Sequence, residues 1–170
     1  MSSIVIPNKQ QVVDARALIE PYIHNTPIMS SSSINEIYGV ELYLKCENFQ
    51  KMGAFKMRGA AHAILKLSDE ARAKGVTTHS SGNFAQALSL AAKSLGVKAT
   101  IVMPTSAPKI KKTAVLGYGA TVIDCEPTLQ AREAAADKIV KDTGATFIHP
   151  SNDMDVILGN SSAALELVKE

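Results

Sequence analysis

At 170 residues, 46% hydrophobic and 20% charged, the chain is long enough for a globular unit that buries about 70% of its unfolded surface. Its 18 basic and 16 acidic residues leave a formal net charge of +2, which gives no nucleic-acid footprint and no acidic tail. The N-terminus lacks the charged and long apolar regions of a secretion signal, and no run approaches the roughly 18 apolar residues of a membrane helix. The chain reads as soluble and cytoplasmic, with no membrane partner.

Apolar positions at Val12, Val13, Ala15, Ala17 and Ile19 predict an opening helix over Lys9–Glu20 that Pro21 ends. Thr26-Pro27-Ile28 and the serine run Ser30 to Ser33 read as an extended or turn segment, followed by a short helix from Ser33 to Tyr38 that Gly39 stops. Glu41 to Cys46 reads as a strand and Glu47 to Met52 as a connector. The stretch Gly53-Ala54-Phe55-Lys56-Met57-Arg58-Gly59-Ala60 then enters an alanine-rich run, Ala60 to Lys66, of high helix propensity. Ser68-Asp69-Glu70 caps a further short helix, with acids at its positive end, and Gly75 ends it.

From Val76 the pattern is regular. Strands are predicted at Val76–His79, Lys98–Met103, Thr121–Cys125 and Ala145–Ile148, separated by helices over Phe84–Leu95, Pro108–Leu116 and Leu129–Asp142. This β-α-β-α-β-α-β order argues for an α/β fold, a parallel β-sheet covered by helices with right-handed crossovers. In such sheets ligands sit at the carboxyl ends of the strands. Cys46 and Cys125 fall in predicted strands without a CxxC pair and read as reduced core thiols.

Two stretches carry chemistry. Lys56 stands where a connector meets a helix N-terminus, and the positive end of the helix dipole there favours the neutral amine, the form that condenses with a carbonyl. Ser80-Ser81-Gly82-Asn83-Phe84 lies at the carboxyl end of a predicted strand and turns into a helix, so its backbone N–H groups form an anion cradle. Asp153 and Asp155 with His149 have no metal-ligand spacing and read as a polar loop capping the last helix. Lys109, Lys111 and Lys112 read as a solvated helix face, and Gly117-Tyr118-Gly119 precedes a strand, so it is no dinucleotide fingerprint. His24, His62 and His79 have no sequence partners that point to catalysis.

The string Leu44-Lys45-Cys46-Glu47-Asn48-Phe49-Gln50-Lys51-Met52-Gly53-Ala54-Phe55-Lys56-Met57-Arg58-Gly59-Ala60 resembles the signature of the serine/threonine dehydratase and serine racemase family. These are pyridoxal 5'-phosphate enzymes of the tryptophan synthase β-like fold. Ser80-Ser81-Gly82-Asn83-Phe84-Ala85-Gln86 resembles the family's Ser-Ser-Gly-Asn-His-Ala-Gln motif, with Phe84 in place of the histidine. Gly159-Asn160-Ser161-Ser162 stands where the family carries Gly-Gln-Gly-Thr, so a turn beside the cofactor is expected to lose a glycine.

By this resemblance Lys56 is the Schiff-base lysine and Phe55 packs near the cofactor ring. Asn83 would bond the cofactor's ring oxygen, and the amides of Ser80, Ser81, Gly82, Asn83 and Phe84 would receive the substrate carboxylate. Ser81 falls where racemases carry the serine facing the opposite side of the α-carbon. The implied activity is a threonine/serine ammonia-lyase acting on a small amino acid, with serine racemase or 3-hydroxyaspartate dehydratase as alternatives, no metal in this part of the chain, and a homo-oligomer at full length. Residues 1–77 would open the large domain, 78–149 form the small domain and 150–170 begin the return.

The resemblance covers only the first part of the family's chain, so the large domain is expected to be truncated. Family members carry beyond it a glycine-rich loop for the cofactor phosphate, and none of the ten glycines here clusters as that loop requires. A part of a longer enzyme, a chain completed by a partner, and a catalytically inactive binding module are the three expectations that follow.

Overall fold

The structure, a computed structural model, describes residues 6–169, and the side chains up to residue 168. The expectation about a secretion signal rests partly on residues 1–5, which lie outside the described residues. Among the described residues no helix is long and apolar enough to cross a membrane.

Helix α1 (Lys9–Ile19) starts on a reciprocal cap: Gln11 N donates to Asn8 Oδ1 and Asn8 N to Gln11 Oε1. Pro21 then limits the chain to one 3-10 turn over Glu20–Tyr22. The segment around Thr26-Pro27 continues as β1 (Ile28–Met29), which pairs antiparallel with β2 (Leu44–Lys45). Between them, Ser31 caps α2 (Ser32–Tyr38), and Gly39 ends it in the left-handed region at φ 64°. The predicted strand Glu41–Cys46 is thus reduced to two residues, and Cys46 falls just outside it.

Helix α3 (Lys56–Leu65) is buried from Met57 through Ile64, because it is flanked by two helices, α5 (Asn83–Ser94) and α8 (Met154–Lys169). The parallel sheet lies beyond α5. Its strands β3 (Val76–His79), β4 (Ala99–Pro104), β5 (Thr121–Cys125) and β6 (Thr146–Phe147) are ordered β5-β4-β3-β6. The remaining helices are α4 (Asp69–Lys74), α6 (Lys109–Gly117) and α7 (Leu129–Thr143). The predicted parallel α/β architecture is the observed one. Strand β3 is buried along its whole length, whereas edge strand β5 is largely exposed, as fits a centre and an edge. Strand β3 also includes residue 77, where the domain division is expected.

That strand order sets the location of the site. From β3 the chain moves outward to β4 and β5, then crosses back to place β6 on the other side of β3. The carboxyl ends of β3 and β6 therefore flank the point where the winding reverses, the place where open α/β sheets form a crevice.

The stretch Gly159-Asn160-Ser161-Ser162 corrects the expectation of a turn: it lies inside α8. Its glycine, asparagine and serines form turns in isolation, but the apolar run Val156-Ile157-Leu158 draws the segment into a helix against α3. Gly159 is the contact point, since a Cβ there would lie 2.5 Å from Arg58 O and 2.8 Å from Gly59 Cα. Ser161 stands in for the expected second glycine without strain, because its hydroxyl donates to Ile157 O at 2.8 Å and no residue of the stretch has a positive φ. Asn160 Oδ1 accepts from Gly59 N at 3.1 Å, and so satisfies an amide in the first turns of a helix that no side chain caps at Phe55.

Gly159→Ala is expected to push α3 and α8 apart and destabilise the fold by about 1–3 kcal/mol. Thermal unfolding of the variant beside the native chain measures it, and an unchanged midpoint would contradict this close approach.

Candidate active site

The connector before Lys56 makes two tight steps. Met52 sits at φ 57°, uncommon for a residue with a Cβ, and Gly53 at φ 76°. These reversals lead through Ala54 to Phe55, and Lys56 becomes the first residue of α3. The Lys56 ammonium reaches across to donate to Pro150 O at 2.9 Å, just beyond the carboxyl end of β6. Its Nζ lies 5.1 Å from the centroid of the Phe55 ring and 5.9 Å from that of Phe84.

Burial lowers the pKa of Lys56 below the ordinary lysine value. The direction is the one expected from the sequence, but partial removal of the amine from water is its cause, not the helix dipole. An amine with a depressed pKa between two aromatic rings is suited to attack a carbonyl.

The turn Ser80–Gly82 connects β3 to α5. Ser80 N donates to Val102 O at 3.1 Å, which ties the turn to the neighbouring strand, and Gly82 N donates to Ser80 Oγ at 3.3 Å. Gly82 is the N-cap of α5 and contributes no side-chain bond, so the first N–H groups of this 12-residue helix are uncapped. Ser81 and Gly82 are half-buried and Asn83 is exposed. Phe84 is 3% exposed, so it belongs to the core as well as to the flank of Lys56. The fold brings Lys56, Phe55 and Phe84 into one cluster, but Lys56 bonds the carbonyl of Pro150, not Ser81 or Asn83.

Other polar residues have structural partners. Asp153 Oδ1 accepts from the amides of Asp155 and Val156 at the start of α8, and His149 Nδ1 accepts from those of Ser151 and Asn152. This is a polar loop that caps a helix, and among the described residues no cluster of His, Cys, Asp and Glu is set to hold a metal ion. His62 Nδ1 pairs with Asp155 O at 2.8 Å, another tie between α3 and α8. Cys46 and Cys125 are free thiols, only half-buried.

The basic run on α6 is exposed at Lys109, and its other two lysines make surface contacts. Lys112 pairs with Asp124 at 2.6 Å, while Lys111 donates to Asn83 Oδ1 at 2.7 Å.

Beneath the site lies a buried charge cluster. Arg58, two residues after Lys56, is 0% exposed, and all five of its N–H donors are engaged. Its guanidinium forks onto Glu47 at 2.8 and 2.8 Å and onto Glu166 at 3.0 and 2.8 Å, with Ser162 Oγ at 3.1 Å. Thr26 Oγ1 donates to Glu47 at 2.6 Å, Lys45 pairs with Glu166 at 2.9 Å, and Arg16 also bonds Glu166. Burial pushes the Glu166 pKa up, but these donors outweigh it and hold the carboxyl below its ordinary value. The cluster joins α1, the Thr26 segment, β2 and α8 to the first turn of α3.

A family model described as "Pyridoxal-phosphate dependent enzyme" matches residues 19–170. The chain belongs to the pyridoxal-phosphate dependent enzyme family. Within that family it is 48% identical to a serine racemase of Dictyostelium discoideum over 95% of this chain and 50% of the relative. It is 46% identical to a β-hydroxyaspartate dehydratase of Paracoccus denitrificans, over 97% of this chain and 52% of the relative. Among solved structures, maize serine racemase superposes with a TM-score of 0.95 at 44% identity, covering 97% of this chain and 50% of that one. The fold is accordingly the tryptophan synthase β-like one, and the chain spans about half the length of the curated relatives it matches.

The residues present fit the family's cofactor at its aldehyde and ring end. They offer an amine of lowered pKa, two aromatic rings beside it, and an uncapped helix N-terminus whose second residue is one of those rings.

Proposed function

We propose that the chain forms the lysine-bearing part of a pyridoxal phosphate enzyme that converts a β-hydroxy amino acid of the threonine/serine type to a 2-oxo acid and ammonia. One observation carries the reading: the Lys56 amine, lowered in pKa by burial, comes to the carboxyl edge of the sheet beside Phe84 at the start of α5.

In this reading Lys56 is the attachment point of the cofactor, with Phe55 against the ring and Asn83 donating to the ring oxygen. When bound, pyridoxal phosphate supplies an electron sink for the pair left at the α-carbon. The uncapped amides at the start of α5 hold the substrate carboxylate and so orient the Cα–H bond toward Lys56. With the cofactor bound, the free amine of Lys56 would take the α-proton as general base. The β-hydroxyl would leave as water with the proton that Lys56 had taken, and a second water would add to the C=N bond of the resulting imine, releasing the 2-oxo acid and ammonia.

A second reading, racemisation, has its own support in Ser81, which sits half-buried on the same turn. From there its hydroxyl would return a proton to the opposite face of the α-carbon. Both readings use Lys56 and Asn83, and they differ in product.

Supplying pyridoxal phosphate and then L-threonine, L-serine or 3-hydroxyaspartate separates them. The lyase reading expects a 2-oxo acid and ammonia in equal amounts, most from threonine or serine. D-serine without a 2-oxo acid would replace it with the racemase reading, and no product from any substrate by the complete enzyme that contains this segment would overturn both.

A further inference from the structure

We infer that Lys111 is a positioning residue for the cofactor's ring oxygen, acting through Asn83; this rests on the reading that Asn83 faces that oxygen. The observation is the 2.7 Å bond from the Lys111 ammonium on α6 to Asn83 Oδ1 at the start of α5. An ammonium group has three donors and no acceptor. It therefore fixes which way the carboxamide of Asn83 points, since only the oxygen can face Lys111. The two N–H donors of Asn83 are left to face away from α6, so the ligand atom they meet must be an acceptor.

Charge strengthens the argument. The neighbouring Lys112 is neutralised by both oxygens of Asp124, at 2.7 and 2.6 Å. Among the described residues Lys111 makes no ion pair, and its one side-chain hydrogen bond is to Asn83. A carboxamide whose oxygen accepts from an ammonium is polarised, and its N–H groups become better donors to an anionic oxygen. Val115, one turn on from Lys111, is 0% exposed and seats α6 against the core. An ionised phenolic oxygen on the cofactor ring is the acceptor that such a donor pair suits, and a neutral ring position would gain nothing from it.

The test measures the dissociation constant of pyridoxal phosphate, and of an analogue without the ring hydroxyl, from the visible absorbance band that depends on Lys56. Native chain, Lys111→Met, Lys111→Arg and Lys56→Ala are compared. Lys111→Met is expected to weaken pyridoxal phosphate about tenfold, the scale of one charge-assisted hydrogen bond, while leaving the analogue unchanged, and Lys111→Arg to restore most of the loss. NMR of the cofactor-free chain should show the Asn83 side-chain amide shifting in Lys111→Met.

An equal loss for both compounds, or no loss for either, overturns the role of Lys111 and leaves the functional reading standing. An unmoved Asn83 amide overturns it as well. A complete enzyme that shows no Lys56-dependent band takes down the functional reading and this inference together.

Discussion

Arg58→Met is expected to destabilise the fold by about 3–5 kcal/mol, the usual penalty for removing one partner from a buried ion pair. The variant has nearly the volume of the arginine stem, so the loss is electrostatic. Glu47 would keep only the Thr26 hydroxyl, and Glu166 only Lys45 and Arg16, with both carboxylates still largely out of water. Urea unfolding at neutral pH measures the change, and adding Glu47→Gln to Arg58→Met should recover part of it, because the two sites share one contact.

The pH dependence has a definite sign. The pKa of Glu166 is lowered in the folded chain, so its contribution is complete above the ordinary carboxylate value of about 4.3 and disappears as pH falls through the folded value. In Arg58→Met that lowering is weaker, so the gap between native and variant should narrow in acid. A variant that unfolds at the native urea midpoint would show that the cluster contributes nothing to stability.

Much of this fold is legible in the sequence, for physical reasons that differ by element. The four parallel strands and their crossover helices stand out because each is bounded by glycine or proline and has its own period. Strand β3 and the caps of α2 and α4 follow from local chemistry alone.

The errors come from tertiary context. Gly159 to Ser162 consists of turn-forming residues, and the helix they form packs Gly159 on Gly59, far earlier in the chain. Nothing near Arg58 announces a buried arginine, since its partners stand 11 and 108 residues away. Lys111 was visible as part of a basic run, but three closely spaced lysines normally face water, and no local signal separates the one aimed at Asn83. For Lys56 the direction of the pKa shift was readable, yet its cause, burial, depends on α5 and on the loop after β6.

Lys56→Ala is the second large effect. It is expected to remove the cofactor-dependent absorbance band and to lower turnover of the active enzyme by at least about 10²–10⁴-fold, the usual contribution of a positioned general base. Its effect on stability should be small, about 1 kcal/mol or less, since the side chain makes one hydrogen bond, to Pro150 O. That contrast with Arg58→Met separates a group that does chemistry from one that holds the fold. Substantial turnover in Lys56→Ala, or a stability loss as large as that of Arg58→Met, would argue for a structural lysine.

The central claim is that one lysine among many is built to condense with a carbonyl. Incubating the chain with pyridoxal phosphate, reducing it with borohydride and mapping the modified peptides by mass spectrometry tests this most directly. The account predicts one dominant modified site, at Lys56, lost in Lys56→Ala. Modification spread over the exposed lysines, with Lys56 no more reactive than the rest, would contradict it.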